Sequence, residues 1–229
     1  MEAILKANLD DVRWRMAAAC GRAGRTPEDA LLVAVTKTVG PEAVQALARL
    51  GVTDIGENRV QDALRKHEAL GGPLGLHWHM IGHLQTNKVR HALPVFERIH
   101  SVDSLHLAAE ISRRAEPAKR TVPILIEVKT SGEESKFGVA PTEVALLLDG
   151  IRTLQGVRAE GLMTMAPIVD DAEEARPFFA ALRELRDRLR AASGLALPHL
   201  SMGMTQDFEV AIEEGATLVR VGSALFRGL

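Results

Sequence analysis

Short apolar segments rich in β-branched residues alternate with longer amphipathic segments from about residue 31 onward. The pattern predicts eight strands, at 31–38, 52–58, 77–82, 98–103, 122–130, 157–166, 198–204 and 217–222, with helices between them. Such alternation is typical of a parallel sheet. Eight units favour closure into a single (β/α)8 TIM-type barrel, and a doubly wound open sheet is the competing α/β architecture.

Proline and acidic residues mark the predicted starts of several helices. Pro41 and Pro141 each stand where a helix can begin, because the first helical position needs no N–H donor. Asp207 and Glu209 fall early in the last predicted helix, where the helix dipole favours acidic side chains. The other helices are predicted in a polar segment ending near residue 70, in NKVRHALPVF, around 105–114 and over 171–192.

The amount of chain suits one barrel. Its 229 residues are 46% hydrophobic and 25% charged, with a net charge of −2, so neither nucleic-acid nor membrane-surface binding is indicated. We predict one domain over 1–229, in which the amphipathic residues 1–25 form a helix packed on the barrel. The N-terminus lacks a secretory signal pattern, and a single cysteine, Cys20, fits a reducing, cytoplasmic location.

Unusual polar residues recur at the carboxyl ends of the predicted strands, where barrel enzymes build their active sites. Nine residues share this position: Lys37, Asn58, His83, Ser101, Asp103, Lys129, Thr164, Ser201 and Arg220. Lys37 continues the face of Val33 and Val35, which we expect to point into the barrel. Burial there would favour a neutral, nucleophilic amine suited to a Schiff base. The alternative is a lysine that reaches past the strand end into water.

The last two strands offer a phosphate site. Ser201 supplies a hydroxyl just before a helix, and Gly203 permits close backbone approach. Gly222 and Ser223 lead into a predicted short helix whose N–H groups could hold a phosphate, as in many barrels. The alternative is that these glycines only shape turns.

Arg220 lies two residues before Gly222, on the same strand face. A buried arginine needs a partner or a ligand. Beside the pyridine nitrogen of pyridoxal 5′-phosphate (PLP), its charge would keep that nitrogen unprotonated and weaken the ring as an electron sink. The alternative is a structural ion pair with Glu57 or Glu127.

Two further groups carry weaker signals. His77, His79 and His83 are close in sequence, but no cysteine or paired carboxylate motif accompanies them, which argues against a metal site. Met163 and Met165 are predicted to pack in the core or against a ring.

Several segments together carry a family resemblance: VAVTKT, GVTDIGENRVQ, WHMIGHLQTNKV, IHSVDS, SKFGV, GLMTMAP and LSMGMTQDFEVAIEEGATLVRVGSALFRG. In these the chain resembles the pyridoxal phosphate homeostasis protein family, also called proline synthetase co-transcribed homologues. The resemblance implies a barrel like the N-terminal domain of alanine racemase, with PLP as the cofactor linked to Lys37.

The same resemblance implies roles for the other site residues. Asn58 would lie near the cofactor, Ser201, Gly222 and Ser223 would bind its phosphate, Arg220 would face the pyridine nitrogen, and Met165 would pack on the ring. Lys136 matches the family pattern. Lys129 departs from it, because asparagine is expected there.

The resemblance also implies a function: PLP homeostasis and amino-acid balance inside the cell without efficient catalysis. PLP itself is the expected partner, and apo PLP-dependent enzymes are candidate recipients. The alternative is a PLP-dependent amino-acid racemase, but a racemase of this type resembles enzymes that use an opposite-face tyrosine from a second domain. The chain has no tyrosine, and we expect no second domain after Leu229. A barrel that binds another phosphate-containing metabolite would leave Lys37 without a task.

Overall fold

The computed structural model describes residues 1–71, 74–131 and 137–229. Within them, eight parallel strands close into a barrel in chain order. The strands are β1 Leu31–Val35, β2 Asp54–Glu57, β3 His77–Met80, β4 Arg98–Val102, β5 Val122–Glu127, β6 Val157–Met163, β7 His199–Ser201 and β8 Leu218–Val221. The predicted (β/α)8 TIM-type barrel is confirmed. The first and last strands pair directly, with Val33 opposite Arg220, so the open sheet is excluded.

Helices fill most of the connections. They are α1 Glu2–Arg22, α2 Pro41–Arg49, α3 Val60–Ala69, α4 Val89–Ala92, α5 Leu105–Ala115, α6 Val144–Arg152, α7 Arg176–Ser193 and α8 Phe208–Glu213. None of the helices in the described ranges is long and apolar enough to cross a membrane.

Three predicted helix boundaries differ from the structure. Pro141 does not open a helix, because Glu143 N–H donates to Ala140 O at 2.9 Å and closes a tight turn before α6. The NKVRHALPVF segment forms a 3₁₀ turn at Thr86–Lys88 followed only by α4. The helix predicted after Gly222 is a set of turns, in which Gly222 O accepts from Leu225 N–H and Phe226 N–H.

Apolar side chains on the outer faces of the strands pack against the helices and form the main core. Inside the barrel, a small separate apolar cluster is formed by Val33, Leu125, Met163 and Leu218. Much of the remaining interior is polar, and includes buried His79, His100, Ser201 and Arg220. Polar groups in such a place need hydrogen-bond partners, which makes their contacts informative.

Helix α1 lies against the last helix of the barrel. Its buried side chains include Leu5, Leu9 and Val12, which repeat at helical spacing. Arg15 Nε donates to Glu209 Oε1 at 2.7 Å, and this bond joins α1 to α8.

Candidate functional site

Lys37 stands two residues beyond the end of β1, in a turn that Val39 N–H closes onto Thr36 O at 3.1 Å. Its side chain is exposed. The expectation that Lys37 is buried is therefore wrong, and the desolvation argument for a neutral amine does not apply. The strand ends at Val35, so the lysine has passed the barrel rim. An amine in this position can be reached by an incoming molecule.

The residue before Lys37 is held by a buried network that the sequence did not reveal. Thr36 Oγ1 donates to Glu57 Oε1 at 2.6 Å. Lys66 of α3 donates to the same carboxylate oxygen at 2.5 Å and to Thr36 O at 2.6 Å. The other oxygen, Glu57 Oε2, is buried with no hydrogen-bond partner among the described residues. This network fixes the backbone that carries Lys37.

Lys37 also lines an open cavity of about 580 Å³ between the β1 rim and α3. Arg59, Arg65 and Lys66 line it too, together with Asp62. Positive charge therefore predominates around the lysine. Among these residues only Lys37 was predicted as a site residue. Arg65 and Lys66 lie on α3, which the sequence predicted simply as a polar helix.

Arg220 lies in the barrel interior on β8, where it is only 4% exposed. Its Nη1 donates to Ser201 Oγ at 2.6 Å, and its Nη2 donates to Thr164 O at 2.9 Å. Burial lowers the pKa of the guanidinium to about 10, against the charges of Glu127 and Asp207. Arg220 therefore stays charged at neutral pH. Its direct partners are a hydroxyl and a carbonyl, and the alternative partner Glu57 instead binds Lys66.

The hydroxyl of Ser201 is engaged on two sides. It lies 2.6 Å from Arg220 Nη1 and 2.9 Å from His100 Nδ1, and it is fully buried. These contacts hold Arg220 and occupy the hydroxyl on two sides. The phosphate contact of Ser201 stays a prediction.

The loops after β7 and β8 meet at Thr205. Its Oγ1 accepts from Ala224 N–H at 3.4 Å, next to Gly222 and Ser223. Thr205 was missed in the sequence, although a hydroxyl four residues after Ser201 in a glycine-containing loop was the available signal. A side chain at Gly222 would place its Cβ 3.2 Å from Val35 O, so the loop lies tightly over the end of β1.

Glu127, at the end of β5, is the most perturbed carboxyl group of the interior. Burial raises its pKa to about 7, and the charge of Asp103 adds to the rise, while Arg220 and Lys129 oppose it. Lys129 is half-buried, and its N–H donates to Val139 O at 2.9 Å. Lys136 lies outside the described residues.

The remaining predicted residues occupy other parts of the rim. Asn58 is half-buried after β2, and Met165 is 38% exposed, two residues beyond β6. His83 stacks on Phe137 with ring centroids 3.9 Å apart. His83 lies beyond the end of β3, whereas His79 lies within that strand. No cluster of potential metal ligands exists in the described part of the chain.

Known proteins share this arrangement of sequence and fold. Residues 7–229 match the family described as alanine racemase, N-terminal domain. A pyridoxal phosphate homeostasis protein from Aquifex aeolicus is 48% identical over 218 residues, which covers 95% of each chain. The protein of that name from Escherichia coli K12 is 37% identical over 227 residues, covering 96% of this chain and 94% of the relative. The chain belongs to the pyridoxal phosphate homeostasis protein family.

Solved structures extend the comparison within the pyridoxal phosphate homeostasis family and beyond it. PipY of Synechococcus elongatus PCC7942, solved with PLP bound, is 34% identical with a TM-score of 0.87, covering 97% of this chain and 99% of PipY. An alanine racemase from Clostridium difficile has a TM-score of 0.79 at 15% identity, and the match covers 97% of this chain but 56% of the racemase. That second likeness establishes a shared barrel fold.

The residues at this end of the homeostasis-family barrel fit a phosphate-bearing aldehyde. Lys37 offers an accessible amine, and Arg220 offers a fixed buried cation. Thr205 and the backbone beside Gly222 offer hydrogen-bonding groups next to a tightly placed glycine. An aldehyde requires a nucleophilic amine, and an aromatic nitrogen and a phosphate require hydrogen-bond donors or positive charge.

Proposed function

We propose that the chain holds PLP as a Schiff base on Lys37 and serves PLP homeostasis and amino-acid balance in the cell without efficient catalysis. The observation that carries the proposal is the pairing of β1 with β8. Val33 lies opposite Arg220, so the strand that leads to Lys37 lies beside the strand that carries the buried arginine. The PLP-bound state of PipY supports the cofactor assignment.

Each residue has a separate task in this proposal. Lys37 binds the aldehyde carbon, and Arg220 faces the pyridine nitrogen. Thr205, Gly222 and Ser223 hold the phosphate, in part through backbone N–H groups. Asn58 and Met165 border the ring from the neighbouring strand ends. When bound, PLP supplies an electrophilic aldehyde, which a lysine amine can capture and release.

The exposure of Lys37 favours a carrier over an enzyme. Enzymes of this cofactor type exclude water from the reacting centre, whereas this amine lies open at the rim beside a cavity of about 580 Å³. Arg220 would leave the pyridine nitrogen unprotonated, and the sequence has no tyrosine to act as an opposite-face base. We propose apo PLP-dependent enzymes as recipients, and a single PLP-binding domain over 1–229 in the cytoplasm.

Borohydride trapping tests the covalent part of the proposal. The protein is loaded with PLP, reduced and cleaved, and the modified peptide is identified by mass spectrometry. We expect the label on Lys37. Lys37→Ala should bind PLP without a trapped product, whereas the control Lys129→Ala, which changes another lysine near a strand end, should keep it. Label on a different lysine would overturn the assignment.

A further inference from the structure

A line of hydrogen bonds crosses the barrel interior beneath Arg220. Ser201 Oγ lies 2.9 Å from His100 Nδ1, and His100 Nε2 lies 2.8 Å from His79 Nδ1. His79 Nε2 lies 2.9 Å from Asp54 Oδ1. Asp54 is the first residue of β2, so it stands at the opposite end of the barrel from Lys37, where it lines a cavity of about 400 Å³. We call Asp54, His79, His100 and Ser201 the interior relay.

The two ends of the interior relay determine the direction of every bond in it. An arginine can only donate, and a carboxylate can only accept. Arg220 therefore donates to Ser201, and Asp54 accepts from His79 Nε2, so with neutral imidazoles the Ser201 hydroxyl points its proton to His100 Nδ1. His100 consequently carries its proton on Nε2 and donates to His79 Nδ1. His79 carries its proton on Nε2 as well and donates to Asp54. With neutral imidazoles, no other arrangement satisfies all four bonds.

The surroundings favour that neutral state. Burial lowers the pKa of His79 and outweighs its hydrogen bond to Asp54, which acts in the opposite direction. Burial also lowers the pKa of His100 well below its ordinary value. Positive Arg98 and Arg220 act on His100 in the same direction. Burial opposes ionisation of Asp54, but the hydrogen bond from His79 leads the contacts that hold its pKa below the ordinary value.

We propose that the interior relay positions Arg220, and that Asp54 is a remote positioning residue for the arginine that faces the cofactor. The role of Arg220 toward PLP rests on the proposed function, but the direction of the hydrogen bonds does not depend on it. Asp54 fixes the tautomer of His79, and that tautomer leaves Nδ1 free to accept from His100. Each group thus fixes the next one, from β2 through β3, β4 and β7 to β8.

Without the Asp54 acceptor, His79 should no longer be restricted to one tautomer. His79 could then place its proton on Nδ1, where it would face the Nε2 proton of His100. One of the two rings would have to change its tautomer or move. The change would reach Ser201, whose hydroxyl would lose its acceptor at His100 Nδ1 and with it the fixed orientation in which it accepts from Arg220 Nη1.

Histidine NMR tests the interior relay directly. The protein, PLP-loaded and PLP-free, is labelled with ¹⁵N in its eight histidines, and the ring nitrogens are assigned with His79→Gln and His100→Gln. We expect both rings to be neutral with the proton on Nε2. Asp54→Leu should shift the signals of both rings, whereas Asp54→Asn should restore the parent pattern, because its side-chain carbonyl still accepts. Asp10→Leu, at an exposed position on α1, is the matched control.

The cofactor provides a second measurement. In Asp54→Leu the absorbance of bound PLP should shift, and PLP should be released about 3- to 10-fold faster, the scale of one ordinary hydrogen bond. Ser201→Ala cuts the interior relay from its other end, and should shift His100 while His79 keeps its tautomer. If Asp54→Leu does not fold, Ser201→Ala still tests whether the hydrogen bonds of the interior relay are coupled.

Three results would overturn the interior relay: a proton on Nδ1 of either ring in the parent protein, unchanged His100 signals in folded Asp54→Leu, or unchanged His100 signals in Ser201→Ala. The borohydride result decides the proposed function separately. Both rings protonated on Nε2 without label on Lys37 would uphold the interior relay and reject the proposed function. Label on Lys37 with a ring protonated on Nδ1 would uphold the proposed function and reject the interior relay.

Discussion

At the scale of single residues, neighbouring groups decide which side chains can bind a ligand. Ser201 and Thr205 carry the same functional group four residues apart. Ser201 is fully buried and engaged by Arg220 and His100, whereas Thr205 is half-buried where two loops meet. The sequence alone favoured Ser201, because the distant partners that occupy its hydroxyl cannot be recognised from local pattern.

Thr205→Ala should therefore weaken PLP retention through the phosphate, by about 1–2 kcal/mol for one lost hydrogen bond to a charged group. Thr205→Ser keeps the hydroxyl and should retain near-parent affinity. Equilibrium dialysis measures the PLP affinity of both variants. Inorganic phosphate should displace PLP less effectively from Thr205→Ala than from the parent protein. Equal PLP affinity in the alanine and serine variants would place the phosphate elsewhere.

Glu127 should make stability depend on pH. Its pKa rises from an ordinary 4.5 to about 7 in the fold, chiefly because it is buried. Between these values the folded protein keeps a proton that the unfolded chain releases, so stability falls as pH rises through this window. Glu127→Gln lacks that fall and should be more stable than the parent at pH 8 by up to about 3 kcal/mol.

Urea denaturation of the PLP-free protein from pH 4.5 to 8 measures the effect of Glu127→Gln. His79 and His100, whose pKa values burial lowers, act oppositely, since their contribution is lost as pH falls below 6.5. Both histidines are present in the parent and in Glu127→Gln, so their contribution cancels when the two unfolding free energies are subtracted. Glu68→Gln, at an exposed position on α3, is the control. Unfolding free energies that change with pH in the same way in the parent and in Glu127→Gln would contradict a raised pKa of Glu127.

At the scale of elements, the junction between β7 and α8 is closely packed. Gly203 has φ +91°, and a Cβ built there would lie 2.6 Å from Ala211 Cβ and 2.9 Å from Phe208 Cα. The glycine therefore allows α8 to approach the strand end that holds Ser201. Asp207 caps this loop, since its Oδ1 accepts from Met204 N–H at 2.6 Å.

Gly203→Ala should destabilise the protein by about 2–4 kcal/mol, because a left-handed backbone and a steric clash act together. Gly194→Ala is the matched control. Gly194 ends α7 with φ +71° and has open space around it, so the substitution should cost only about 1–2 kcal/mol of backbone strain. Thermal and urea unfolding compare the two variants. A Gly203→Ala loss no larger than that of Gly194→Ala would show that the junction can relax.

The sequence predicted the elements better than their contacts. Alternating patterns located all eight strands, because a barrel needs regular apolar segments that are visible locally. The strands proved shorter than predicted, since the polar residues at their ends already belong to loops. The His100–Ser201 contact joins residues 101 positions apart, and the Glu57–Lys66 pair joins a strand to a helix. Neither follows from spacing, and the exposure of Lys37 depended on where β1 ended.

At the scale of the whole molecule, Lys37 is exposed at the rim and much of the barrel interior is polar. We predict negligible racemase or transaminase turnover by the PLP-loaded protein. Incubation with L-alanine in deuterated water, followed by NMR, should show no faster exchange at the α-carbon than free PLP produces. Exchange at typical enzyme rates of roughly 1–10³ per second would restore the racemase alternative.

The closure of the barrel between β1 and β8 also has a consequence for protein synthesis. The strand that leads to Lys37 is among the first parts of the fold to leave the ribosome, and the strand that carries Arg220 is the last. A growing chain therefore exposes Lys37 long before Arg220 and the final loop have been synthesised. On the proposed function, stable capture of PLP would have to wait until translation has passed the eighth strand, so nascent and truncated polypeptides would not withdraw PLP from the cell.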